Sequence, residues 1–255
     1  SDWVALDGKT NVAVKASSVN SISETIVNLN TVYNSAEISG LGNENISITN
    51  TGTITAAQIN DLLGETSGTI TLVGSGNLAI TMTSGQTLDL SGITNSLSGN
   101  LSITDSTGNE TIIGTSANDT LTLSSGNDTV NLGDGSDVIN TTIANLNTAD
   151  NISDTGTTGT DTLNITNSGT IDSANLIDVS GIEILNLSGG NDTITFDDTA
   201  EFNAFRNNFT DIVDAGGSDT LSFGTTAVSG DLDFSKLSEF ETLNLSSASD
   251  NLTIS

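Results

Sequence analysis

The sequence predicts a mostly β chain: a right-handed parallel β-solenoid with a few short helices capping or flanking its coils. Three observations predict it. Apolar pairs spaced two residues apart recur every 9 to 13 residues, clusters of Gly, Asn, Asp and Ser separate them, and aromatics are only 4 % of the 255 residues. Period-two alternation marks a strand with one buried face, and the separating residues favour tight turns. A sandwich would want longer strands and aromatic core anchors, whereas small Ile, Leu and Val ladders suit a narrow coil.

In chain order the strand signals include Ile46/Ile48, Ile70/Leu72, Ile80/Met82, Leu88/Leu90, Leu101/Ile103, Leu121/Leu123, Val130/Leu132 and Leu185/Leu187. Three stretches depart from them. Ser17 to Tyr33 spaces Val19, Ile22, Ile26, Leu29 and Tyr33 at helical intervals, and Thr55 to Leu63 has a capping Thr and a terminating Gly64. Asp198 to Phe209 places Phe202, Phe205 and Phe209 on one face behind an Asp cap. All three are expected as helical turns docked on the coils; a ligand-binding Phe cluster is the lesser alternative. The chain divides into a β-rich region with short helices (1–105), a regular block (106–142) and an irregular solenoid (143–255).

Composition narrows the chemistry. Four Lys+Arg stand against 32 Asp+Glu, a formal net charge of −28. That field repels phosphate backbones and anionic lipid, so no nucleic-acid partner is expected. Nor is membrane insertion, since no long apolar run exists. The chain has no His and no Cys, which removes Ser-His-Asp hydrolases, thiol catalysis, disulfides and His- or thiolate-ligated metals. Acid pairs could serve a glycosidase, but no aromatic platform accompanies them beyond Trp3 and Tyr33. Lys9, Lys15, Arg206 and Lys236 are too sparse for the basic cleft of a lyase. No enzyme is expected. Ser, Thr and Asn supply 104 residues, yet 34 % of the chain is hydrophobic and aliphatic pairs recur throughout, so the chain should fold.

Internal repeats are the strongest signal. Glu110, Asp119, Asp128 and Asp137 lie nine residues apart, as do Ile112, Leu121, Val130 and Ile139. Two residues before each acid stands a small residue: Gly108, Ala117, Gly126 or Gly135. A longer repeat sets residues 159–196 on 217–254 at an offset of 58, pairing Asp161 with Asp219, Glu183 with Glu241 and Asp192 with Asp250. A third, at offset 117, sets Ile48–Ile54 on Ile165–Ile171.

The block from Gly114 to Asn140, with turns such as Gly133-Asp134-Gly135-Ser136-Asp137, resembles the calcium-binding nonapeptide of RTX proteins, G-G-x-G-x-D-x-U-x. The resemblance implies a parallel β-roll of six-residue turns and three-residue strands, two repeats per coil, and calcium as the ion. Asp119 and Asp137 would then stack along one edge, Glu110 and Asp128 along the other. Calcium takes six to eight hard oxygens from carboxylates and carbonyls. Stacked carboxylates would repel without a cation, and Gly126 and Gly135 would let backbone carbonyls turn inward. Glu110, Asp119, Gly126, Asp128, Gly133, Asp134, Gly135 and Asp137 are the candidate ligands, for one to three ions. Glu110 replaces Asp, Ala117 replaces Gly, and no turn keeps all three glycines. Single copies at Asp161, Asp192, Asp219 and Asp250 read first as turns bonding their own backbone. Asp192 and Asp219 are retained as metal candidates.

What the resemblance implies for function is a protein exported in one step by type I secretion that folds outside the cell in calcium. The expected role is a calcium-stabilised structural protein of the bacterial surface, a self-assembling surface-layer segment. Its partners would be neighbouring copies of itself, with a cell-surface polysaccharide as anchor. A segment of a giant adhesin and the accessory domain of a secreted enzyme are the alternatives. Because the 58-residue unit runs to the last residue, an uncovered coil edge is expected at Ser255.

Overall fold

A computed structural model describes residues 4–5, 9, 13–226, 229–232, 235, 237–246, 248 and 251–254. Asp250 and Ser255 lie outside the described residues. Alternation puts every second side chain of a strand inside, so identical coils can stack their aliphatic residues in columns. The longest sheet has eight strands, stacked in chain order: Gly52–Thr55, Leu78–Thr81, Leu101–Thr104, Asp119–Thr122, Val138–Thr141, Thr162–Ile165, Ile184–Leu187 and Asp211–Asp214. Through it runs one buried column: Ile54, Ile80, Ile103, Leu121, Ile139, Leu163, Leu185 and Ile212. A five-stranded sheet carries a second column, Leu88, Ile112, Val130, Ile152 and Val179. Among the described residues every strand pairing is parallel, as a coil that stacks on itself requires. The fold is a mostly β parallel solenoid.

Two further four-stranded sheets close the coils at either end of the chain. The N-terminal sheet holds Ser21–Glu24, Asn45–Ile48, Ile70–Gly74 and Ile93–Leu97. The C-terminal sheet holds Thr170–Asp172, Thr193–Phe196, Thr220–Phe223 and Thr242–Asn244. Coil length varies with them. Strands stack 24 and 23 residues apart in the N-terminal sheet (Ile46 on Ile70 on Ile93) and 18 apart in the middle (Leu101 on Asp119). Beyond it Val138 stacks on Thr162, Thr162 on Ile184 and Ile184 on Asp211. One hydrophobic core runs from Ile22 to Leu237 across all three segments, and a small second cluster of Ala16, Val32 and Ile38 lies beside it near the N-terminus.

Among the described residues three helices of eight or more residues flank the coils: α1 (Ile26–Tyr33), α2 (Ala56–Leu63) and α3 (Thr199–Asn208). The expectation of helix from Ser17 is corrected. Ser21–Glu24 is a strand with only Ile22 buried, and the Thr25 side chain caps a helix that starts at Ile26. Val19, Ile22 and Ile26 are spaced as a helix would space them, but pairing of Ile22 with Ile46 selects the strand. Thr55 forms a capping box with Gln58, and Asp198 caps α3 through the Glu201 N–H. Helix α2 packs on α1 and passes the stack to strand Thr87–Asp89 through Asn60. Phe202, Phe205 and Phe209 are buried against Phe196 and Phe223, with ring centroids 5.3 to 5.7 Å apart. That cluster is core.

Candidate metal centre

The acid before each strand organises the site. Downstream of residue 105 an acid precedes the strands that begin at Thr111, Thr129, Val138, Asn151, Thr162, Ile184, Thr193, Thr220 and Thr242, while Asp119 opens its own. Glu110, Asp128, Asp137, Asp161, Asp192 and Asp219 each receive a backbone N–H from the coil below and donate their own to an acid of the coil above. Glu110 N–H donates to Asp128 Oδ1 at 2.8 Å, and Asp128 N–H to Asp150 Oδ1 at 2.9 Å. On the other edge Asp119 donates to Asp137 (2.7 Å), Asp137 to Asp161 (2.8 Å) and Asp161 to Glu183 (2.9 Å). A third ladder runs from Gly169 through Asp192 and Asp219 to Glu241. The 18-residue stacking of Asp119 with Asp137 and of Glu110 with Asp128 is therefore real.

Asp161, Asp192 and Asp219 bond the neighbouring coil, which corrects the reading of isolated turns that bond their own backbone.

The ladder uses one carboxylate oxygen and strands the other. Glu110, Asp119, Asp128 and Asp137 are each only 1 % exposed, Asp219 is fully buried, and each has one oxygen without a hydrogen-bond partner. Asp105, Asp154 and Asp214 also carry such an oxygen. A buried acceptor left unmade costs about 1–3 kcal/mol, more when charged, so a cation or a proton at these oxygens stabilises the fold. Among the described residues three groups bring three carboxylates together with ligand atoms within 4.8 Å: Asp105/Glu110/Asp128, Asp137/Asp154/Asp161 and Asp192/Asp214/Asp219. At an effective dielectric near 20, like charges that close repel by roughly 3–4 kcal/mol per pair. A divalent cation turns that repulsion into attraction, and all-oxygen donor sets suit calcium.

Burial pushes the Asp137 carboxyl up to about 8, with the charges of Asp119, Asp161 and Asp154 adding to the rise. Burial likewise lifts Asp105 to about 7 and Asp119, Asp128, Asp161 and Asp219 to about 6.

Glu44 shows what a self-sufficient acid looks like in this fold. It also precedes a strand and is fully buried, but Gly42 and Asn43 N–H groups and the Tyr33 hydroxyl donate to it. Burial opposes ionisation there, yet the Tyr33 and backbone donors hold the carboxyl below its usual range.

The candidate residues fall into place unevenly. Glu110 and Asp128 join the first group, Asp137 the second, and Asp192 and Asp219 the third. Asp119 stays outside any group of three and is tied to Thr115 N–H and Oγ1. Asp134 also lies outside, accepting from Thr157 N–H and Oγ1 of the next coil, which lowers its carboxyl below the usual range. Gly133 and Gly135 have positive φ of 91° and 142°. Gly126 does not, and its reason is contact: a Cβ there would lie 1.5 Å from the Gly108 carbonyl oxygen. The small-residue column stacks on itself, Gly126 on Gly108 and Gly135 on Ala117, with Gly159 continuing it over Gly135.

Asp105, Asp154 and Asp214 were not anticipated. They sit at turn starts, and their signal is an acid five or seven residues ahead of a ladder acid: Asp105 before Glu110, Asp154 before Asp161, Asp214 before Asp219.

Stacked turns, edge ladders and stranded oxygens define a class: parallel β-solenoids whose turns hold divalent cations. Residues 104–139 match the family model of the RTX calcium-binding nonapeptide repeat, in four copies. The chain thus carries an RTX-type calcium-binding repeat, and calcium is the ion of that block. No curated protein and no solved structure matches the chain.

Proposed function

We propose that this chain is a calcium-stabilised structural segment of a secreted protein at the bacterial cell surface, one that self-assembles as surface layers do. The observation that supports this reading most is the set of buried acids with a stranded oxygen, Glu110, Asp119, Asp128, Asp137 and Asp219, spread over successive coils rather than gathered at one place. An enzyme concentrates such groups at one cleft. Here they recur coil after coil, as a calcium scaffold needs. RTX repeats occur in secreted proteins, and no helix among the described residues is long and apolar enough to cross a membrane. The −28 charge keeps copies apart by repulsion until divalent cations neutralise it. Association through calcium-neutralised faces, with a surface polysaccharide as anchor, follows from that balance.

Sedimentation velocity at several protein concentrations, in about 5–10 mM calcium (near the upper range for weak extracellular sites) and again after chelation, tests the assembly. Reversible, calcium-dependent growth is expected. A monomer at high concentration in calcium would defeat self-assembly and favour the adhesin segment or enzyme-accessory reading.

A further inference from the structure

The group outside the matched repeat carries its own inference. We propose that Asp192, Asp214 and Asp219 form a separate site for a hard divalent cation, calcium in a secreted setting, which pins the corner between the long sheet and the C-terminal sheet. This rests on the calcium reading of the chain and extends it to coils that lie outside the matched residues 104–139.

The corner is built from three adjacent pieces. Asp214 ends strand Asp211–Asp214 of the long sheet. The turn Ala215-Gly216-Gly217-Ser218 carries the chain to Asp219, which precedes strand Thr220–Phe223 of the C-terminal sheet. Beneath it Asp192 precedes Thr193–Phe196, in register with that strand. The coils there are 27 residues apart, against 18 in the nonapeptide block, so the site does not continue the regular stack.

Acid proximity alone would be weak evidence, but the hydrogen bonding is specific. Asp219 is fully buried, its Oδ1 accepts the Asp192 N–H at 2.7 Å, and its Oδ2 has no partner. Asp214 Oδ2 takes the Gly216 N–H at 2.7 Å, which orients the carboxyl and leaves Oδ1 buried and unpaired. Asp192, also fully buried, is held by Gly169 N–H and Ser188 Oγ. Each carboxylate oxygen has about two lone-pair directions, so those bonds leave Asp192 able to ligate. One ligand atom from each residue lies within 4.8 Å of the others. Two of these three clustered carboxylates thus carry a stranded oxygen, and backbone donors orient all three.

The turn shape is equally constrained. Gly217, at φ 156°, lies on the Gly190 carbonyl, where a Cβ would come within 2.3 Å of the oxygen. Farther along the same strands Phe196 stacks on Phe223 at 5.4 Å. A cation at the corner fixes the end of the coil pair whose other end the Phe cluster holds.

Calcium titration of the full chain by calorimetry, on the wild type and on Asp214→Asn, Asp219→Asn and Asp128→Asn, tests the site. Asparagine keeps the acceptor for the Gly216 or Asp192 N–H and removes the charge. The wild type is expected to take up at least two ions, and Asp214→Asn and Asp219→Asn each one fewer. Asp128→Asn, in the matched block, should lose a different ion, so the double variant Asp128→Asn/Asp214→Asn loses two. Circular dichroism in chelator checks folding, and should Asp219→Asn misfold, the half-buried Asp214 position decides alone. Uptake by Asp214→Asn equal to wild type overturns this site while leaving the calcium reading intact. No uptake by the wild type overturns both.

Discussion

The Asp119 backbone N–H donates to Asp137 Oδ1 at 2.7 Å across one 18-residue coil, while Asp137 Oδ2 is buried with no partner. The same carboxylate therefore does two jobs at different costs. One oxygen knits coils whatever the solvent contains, and the other is a liability until a cation arrives. Calcium should govern stability far more than it governs the hydrogen-bond pattern.

Stability should rise with calcium in steps set by site number. A site with a dissociation constant near 10⁻⁴ M adds about 1.8 kcal/mol at about 2 mM free calcium. For a chain of this size that is roughly 4–7 °C per site. Asp128→Asn should remove one such increment in calcium and cost nothing in chelator, where it relieves repulsion. Calorimetric scans in both buffers check it, and an unchanged increment would refute the assignment of Asp128.

The calcium-free protein should lose stability as pH rises, the reverse of most acid-rich proteins. Unfolded Asp titrates near about 4. Folded Asp137 is pushed up to about 8, Asp105 to about 7, and Asp119, Asp128, Asp161 and Asp219 to about 6. Between those limits the folded state binds more protons than the unfolded one, so these groups stabilise fully below about pH 4 and lose that contribution by about pH 8. Calcium takes the ionised form, so millimolar calcium should flatten or invert the slope. Thermal midpoints at pH 5 and 8, with calcium and with chelator, decide it.

Gly126→Ala should be among the most damaging single-methyl changes. Its Cβ would sit 1.5 Å from the Gly108 oxygen, which is backbone and cannot swing aside. The coils must separate, at a cost of about 3 kcal/mol or more. Gly64, at the end of α2, has negative φ and nothing within 4 Å of a Cβ. Gly64→Ala should stay within about 0.5 kcal/mol of wild type. Urea denaturation of both compares them directly.

Calcium dependence should be polarised along the chain. Upstream of Asp105 the coil-to-coil bonds use neutral acceptors, Asn45 Oδ1 from Thr69 N–H and Asn77 Oδ1 from Asn100 N–H, and Glu44 is satisfied by Tyr33. Hydrogen exchange in chelator should leave strands from Ser21 to Thr104 protected while those from Thr111 to Phe223 exchange faster. Uniform loss of protection would count against it.

Much of the metal centre was legible because its ladder is periodic. Nine-residue spacing of Glu110, Asp119, Asp128 and Asp137 converts directly into 18-residue stacking on two edges. Asp105, Asp154 and Asp214 were not legible, since they keep no column and gain meaning only where a turn folds them back on a ladder acid. Ser21–Glu24 misled for a related reason: its one apolar residue, Ile22, falls at helical spacing from Val19 and Ile26, and only the partner strand Asn45–Ile48 shows that it belongs to a strand.

The sequence by itself determined the local grammar: period-two strands, small residues where turns stack, an acid every nine residues from Glu110 to Asp137, and helix caps at Thr55 and Asp198. All of these act within a few residues, where backbone sterics and alternation leave little choice. Only the tertiary structure decided which strand lies on which. The 58-residue copies share the bond from Asp161 to Glu183 and from Asp219 to Glu241, yet Thr162–Ile165 lies in the long sheet and Thr220–Phe223 in the C-terminal one. Two coils from Thr162 reach Asp211, so the second copy begins one turn and one strand too late for the same sheet. Coil length is a sum over turns of unequal size, and that sum, fixed only when the coils close on their core, placed Asp214 beside Asp192 and Asp219.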